Sequence, residues 1–254
     1  MFPLTHIATA EVVLGKENIM TVLGSMFPDF VSYLGIGRNV GHELGRDLYR
    51  YCLRYYPRCV DFALGVLTHG TSLPGIDFYA DEEYAGKRPG FCFQQGEKIA
   101  SAVEKICHVP PSMALWKSHN FMEIAFDIIT ATRQKDLEQR AKDYIFRDDI
   151  PVVKMLEDYL QVSEKNIRDM FRVVPEHFCF DGEDIELMTA KFLQSLKRRH
   201  GITGGNLAEA TTITREALEI IEPQYDGFMS QVLPLIERDI GAFSTAPGAV
   251  PPEG

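Results

Sequence analysis

Histidines and carboxylates stand at polar points in otherwise apolar stretches along the first half of this chain. Thr5-His6-Ile7 leads into an apolar run with Ala8, Ala10 and Val12, and Gly24-Ser25-Met26-Phe27-Pro28-Asp29 is an apolar segment ending in a carboxylate. Gly41-His42-Glu43 opens a helical pattern, and Phe62-Ala63-Leu64-Gly65-Val66-Leu67-Thr68-His69 ends one. In Trp116–Glu123, His119 and Glu123 have i, i+4 spacing, which puts both side chains on one helical face where they can reach the same ion. Each piece has a plain structural reading: His6 or His42 as a capping or core histidine, Asp29 as a cap for Phe30–Leu34, His119 with Glu123 as a surface pair. Together they describe polar ligands on separate segments of an all-α domain, which is how metal sites are built inside helical bundles.

The segment after His69 decides how such a site could close. Pro74 and Gly75 break the helical pattern, and Asp77, Asp81, Glu82 and Glu83 follow. In an unbroken helix His69 and Asp77 would lie about 12 Å apart along the axis, too far for one ion. A reversal at Pro74-Gly75 would bring Asp77 back to His69; otherwise the acidic residues form a solvated loop. Tyr79, Tyr84, Phe91 and Phe93 read either as a roof over the site or as a satellite cluster beneath a long loop.

The elements that must position these groups are helical throughout. Apolar residues recur at three- and four-residue spacing near 5–16, 43–56, 59–70, 94–106, 111–132, 135–146, 150–161, 164–173, 183–200, 206–221 and 224–240. Gly35–Gly37, Pro57, Pro74-Gly75, Pro89-Gly90 and Pro110-Pro111 mark the stops, Gly201 reads as a C-terminal cap and Asn206 as an N-cap. No alternation is long enough for a sheet, so the expected class is all-α, a multi-helix bundle. Residues 1–132 read as the helical metal-site region and 133–243 as supporting helices packed on it in one domain, with 244–254 a flexible proline-rich tail.

Composition narrows the function. At 254 residues the chain can bury a substantial core, and no apolar run is long enough to span a bilayer. The formal charge of −10 disfavours nucleic acid as a partner, and the short basic stretch Lys197–His200 is accounted for by the end of a helix. Cys52, Cys59, Cys92, Cys107 and Cys179 lack CxxC spacing and read as reduced thiols. With no basic start or continuous apolar run near Met1, the expected location is cytoplasmic. The spacing is silent on oligomeric state.

The order T-H-I-x-x-A, G-S-x-x-P-D, a histidine at a helix start, F-A-L-G-V-L-T-H and H-x-x-x-E resembles the zinc-dependent phospholipase C family, which includes fungal single-strand nucleases. The likeness covers roughly residues 1–130 and is strongest at Pro28-Asp29 and Ala63–His69. It implies an all-α fold, zinc held by His6, Asp29, His42, His69, His119 and Glu123, and hydrolysis of a phosphoester by metal-activated water. The implied substrate is a small phosphoester or a phospholipid-like molecule. Where the family places a carboxylate four residues after the fourth histidine, this chain has Leu73; Asp77 is the nearest replacement, with Asp81 a second choice. Asp29 and Asp77 are thus the expected catalytic carboxylates. The family's further histidine has no equivalent in loop 74–93, which favours one or two ions over three. Zn2+ follows from the resemblance, while mixed imidazole and carboxylate donors also suit Mn2+ or Fe2+. The alternative is a non-catalytic scaffold or partner-binding protein keeping a structural metal site.

Overall fold

The computed structural model describes residues 3–145, 147, 149–177, 182–203 and 205–246. Among them the chain is all-α and contains no strand; Tyr84 and Lys87 form an isolated bridge. The helices are α1 (Pro3–Leu14), α2 (Ile19–Phe30), α3 (Arg38–Glu43), α4 (Gly45–Tyr55), α5 (Val60–His69), α6 (Phe91–Gly96) and α7 (Ala100–Ile106). They continue as α8 (Pro111–Arg133), α9 (Leu137–Ile145), α10 (Val153–Leu160), α11 (Glu164–His177), α12 (Ile185–His200) and α13 (Leu207–Thr245). A π-helical turn spans Phe78–Glu82.

The chain forms two compact units. One comprises Met1–Thr5, Tyr79–Gln139 and His177–Met229; the other comprises His6–Phe78, Arg140–Glu176 and Ser230–Gly254. In the second unit, α2 starts at Asn18, whose side-chain oxygen accepts the Thr21 amide at 3.0 Å and caps the first turn. α2 and α5 then cross with their backbones in contact. A Cβ on Gly24 would stand 2.0 Å from the Phe62 carbonyl oxygen, and one on Gly65 would stand 2.5 Å from that of Thr21. Only glycine permits this approach. Phe27, Phe62, Leu23, Met26, Val66 and Leu67 fill the surrounding core.

In the first unit α8 begins with Pro111 in its first turn, where a missing N–H is harmless, and Phe121, Met122, Ile124, Ala125 and Phe126 are buried along it. Rings of Tyr84, Phe91, Phe126 and Phe228 gather against one another, with Phe91 and Phe228 centroids 4.7 Å apart.

The two segments expected at 206–221 and 224–240 are one 39-residue helix, α13, which continues through Pro223. Its buried stripe, Ile213, Ala217, Ile221, Tyr225, Phe228, Val232, Ile236 and Ile240, passes the proline without a change of phase. Packing along that stripe outweighs the one backbone hydrogen bond that proline removes. Conversely, 94–106 is interrupted by a tight turn at Glu97–Ile99. Ser244 and Thr245, read as tail, belong to α13, and residues 247–254 lie outside the described residues. Cys52, Cys59, Cys92 and Cys107 are free and buried, while Cys179 lies outside the described residues.

Candidate metal centre

The α2–α5 crossing has a chemical consequence. It brings the Ser25 carbonyl oxygen to 2.6 Å from His69 Nδ1. A carbonyl can only accept, so Nδ1 carries the proton and, in the neutral ring, the Nε2 lone pair points away from α2. His42 is set the same way, with Nδ1 donating to the Arg38 carbonyl oxygen at 2.9 Å, one turn back in α3. Backbone-anchored Nδ1 is the usual outer support of a metal-binding imidazole, because it fixes both tautomer and ring orientation.

The chain after α5 does reverse. The Gly75 amide donates to the Gly70 carbonyl at 2.9 Å, and a Cβ on Gly75 would stand 2.6 Å from both the His69 carbonyl carbon and the Thr68 oxygen. The reversal seats Asp77 in the core at 1% exposure. Its Oδ2 lies 3.1 Å from His42 Nε2 and 3.2 Å from His69 Nε2, and those two nitrogens are 3.2 Å apart. Two neutral rings anchored through Nδ1 turn lone pairs towards each other at this distance, so the arrangement requires a proton or a cation between them. The triangle has the dimensions of a cation site: ligand atoms about 2.0–2.1 Å from a tetrahedral zinc are about 3.3 Å from one another.

His6 stacks on His69, ring centroids 3.6 Å apart, and its Nε2 lies 3.5 Å from Asp77 Oδ1 and 3.8 Å from Asp29 Oδ2. Asp29 Oδ1 in turn lies 3.9 Å from His42 Nε2. Each carboxylate therefore turns one oxygen towards His42 and the other towards His6, the disposition of a group that bridges two ions. Burial opposes charge on Asp77, yet in the metal-free chain neighbouring positive charge, including that of His69 and His6 when protonated, holds its carboxyl well below the usual carboxylate range. The histidine side chains are closed off, whereas the Asp29 side chain is 26% exposed and marks the open edge.

His119 and Glu123 gather with Asp81, within the unit that holds Tyr79–Gln139. His119 Nε2 is 3.9 Å from Asp81 Oδ1 and 3.8 Å from Glu123 Oε2. Phe93 stacks on the His119 ring at 4.1 Å, and Asn120 donates to Glu123 Oε2 at 2.9 Å. Of the aromatic residues in loop 74–93, Phe93 thus lies on a candidate ligand, while Tyr84 and Phe91 belong to the ring cluster with Phe228.

Asp81, the second choice from sequence for the carboxylate missing at Leu73, lies with His119 and Glu123. The π-helical turn at Phe78–Glu82 buries it while leaving Glu82 exposed, and no local pattern in Asp81-Glu82-Glu83 distinguishes the two. Asp127, four residues beyond Glu123, reads from spacing as an outer or surface group. It is fully buried instead, accepting the amides of Leu4 and Thr5 at 3.0 and 2.7 Å and the Thr5 hydroxyl at 2.6 Å. It therefore caps the first turn of α1, immediately before His6.

Comparison with known proteins returned no matching family model, no matching curated protein and no matching solved structure.

Proposed function

We propose that this chain is a metal-dependent hydrolase of phosphoesters. One observation carries the reading: His6, His42 and His69 converge on two carboxylates, Asp77 facing all three imidazoles and Asp29 facing His6 and His42, and Asp29 reaches solvent. A purely structural site is closed by protein ligands, whereas a catalytic one keeps an open position. The motif order shared with the zinc-dependent phospholipase C family supports the same reading.

The donors fit zinc first and manganese or iron next. His42, His69 and Asp77 would hold one ion, His6 and Asp29, grouped with His69 and with His6 facing Asp77, would hold a second, and Asp81, His119 and Glu123 offer a further group. When bound, such ions supply Lewis acidity to a phosphoryl oxygen and a source of hydroxide near neutral pH. The protein does the rest. Ser25 and Arg38 carbonyls hold the imidazoles in register, and the buried Asp77 keeps the site negative enough to retain cations. Asp29, on the open edge, is placed to accept a proton from an attacking water.

The test is turnover of bis(p-nitrophenyl) phosphate and p-nitrophenyl phosphate by zinc-loaded protein. Hydrolysis that is lost on chelation and restored by zinc is expected. Fully metallated protein that turns over neither compound would contradict the reading and leave a structural metal site in a non-catalytic scaffold.

A further inference from the structure

We propose that Arg38 is the residue by which the centre selects an anionic phosphoryl group, its guanidinium receiving a non-bridging oxygen of the substrate. The inference rests on the hydrolase reading above and adds the chemistry of recognition.

Arg38 is tied to the centre at both ends. Its backbone carbonyl accepts from His42 Nδ1 at 2.9 Å, so the residue moves with a ligand of the cluster. Its Nη2 lies 3.8 Å from Asp77 Oδ2, the oxygen that also faces His42 and His69. The two members of this pair differ sharply in exposure: the arginine side chain is 45% exposed and the aspartate 2%. The guanidinium therefore stands between buried donors and solvent, and Asp29 at 26% exposure shares the open edge.

Charge accounts for what Arg38 does there. In this structure its Nη2 faces Asp77 Oδ2. A cation held by His42, His69 and Asp77 would draw on that same oxygen and weaken its pull on the guanidinium, a planar fork of N–H donors. Such a fork matches two oxygens of a phosphoryl group, which a neutral ester lacks in charged form. The substrate class is accordingly an anionic phosphoester, monoester or diester, whose phosphoryl group spans the distance between the donors and Arg38.

The alternative role is neutralisation of Asp77, which would reveal itself in metal retention. Zinc content and calorimetric binding of inorganic phosphate are therefore measured together on zinc-loaded wild type, Arg38→Gln and Arg38→Lys. The expected result is unchanged zinc in all three, phosphate binding weakened about 10- to 100-fold in Arg38→Gln, and partial recovery in Arg38→Lys, which restores charge without the fork. Unchanged phosphate affinity in fully metallated Arg38→Gln overturns the assignment, as does loss of zinc from that variant with no separate effect on phosphate. Wild type that binds phosphate through Arg38 but turns over no phosphoester defeats the hydrolase reading and sustains the Arg38 assignment.

Discussion

At the scale of single residues, the centre depends on Asp77. Its two oxygens meet all three imidazoles, with separations of 3.1 Å to His42, 3.2 Å to His69 and 3.5 Å to His6. Asp77→Asn preserves size and most hydrogen bonding but removes the charge that compensates a cation. The variant should lose zinc affinity by at least about 10- to 100-fold, the range seen when even outer partners of a metal ligand are removed. Competition with a chromogenic chelator measures this, and wild-type affinity in the variant would show that Asp77 is loop. The histidines were legible because an imidazole at the end of an apolar run, as at Phe62–His69, is conspicuous. Asp77 was ambiguous because its position depends on a backbone reversal, and Asp81 was no more than a second choice because burial separates it from Glu82 only after the π-helical turn has formed. Arg38 carried no signal: its role follows from a carbonyl and a guanidinium reaching different members of one cluster.

Elements place these residues through two contacts. The first is the reversal at Gly75, packed against the end of α5 so closely that a Cβ would lie 2.6 Å from backbone atoms of Thr68 and His69. Gly75→Ala must push the loop off α5 and carry Asp77 with it, so zinc binding should fall while the helical circular dichroism signal stays near wild type. A variant retaining full zinc affinity would mean that Asp77 does not depend on this packing. The second is the capping of α1 by Asp127, whose carboxyl burial pushes up to about 7 against the lowering effect of the Thr5 hydroxyl and the Thr5 and Leu4 amides. Its unfolded value is about 3.9. Between about pH 4 and about 7 the unfolded chain therefore holds fewer protons at this position than the folded one, and the stability contributed by this group falls as pH rises. Asp127→Asn abolishes that dependence. Relative to wild type, the variant should gain thermal stability as pH rises through this window and show a constant difference above it. Calorimetry at a series of pH values measures the difference, and a pH-independent gap would rule the mechanism out. The helical class was legible from periodicity, and so was the start of α13 at Asn206, whose side chain accepts the Glu209 amide at 3.2 Å. The continuation of α13 through Pro223 was not, since local breaking residues say nothing about the buried stripe that overrides them.

For the molecule as a whole, the fold concentrates buried acid and imidazole where a core would otherwise hold apolar groups. One compact unit encloses His6, Asp29, His42, His69 and Asp77, and the other encloses Asp81, His119 and Glu123. Cations bound by the native state alone stabilise it by mass action, about 2.7 kcal/mol for one site at free zinc of about 100 times its dissociation constant. For a chain of this size that corresponds to a rise in Tm of roughly 5–10 °C, reversed by a chelator. A Tm indifferent to both zinc and chelator would indicate that these clusters persist without ions. The central claim, that facing imidazole lone pairs mark a metal position, is tested most directly by anomalous scattering from zinc-soaked crystals measured on either side of the zinc edge. The account predicts a peak about 2.0–2.1 Å from Nε2 of both His42 and His69 and from an oxygen of Asp77. Absence of a peak under saturating zinc, with the two nitrogens still 3.2 Å apart, would contradict it.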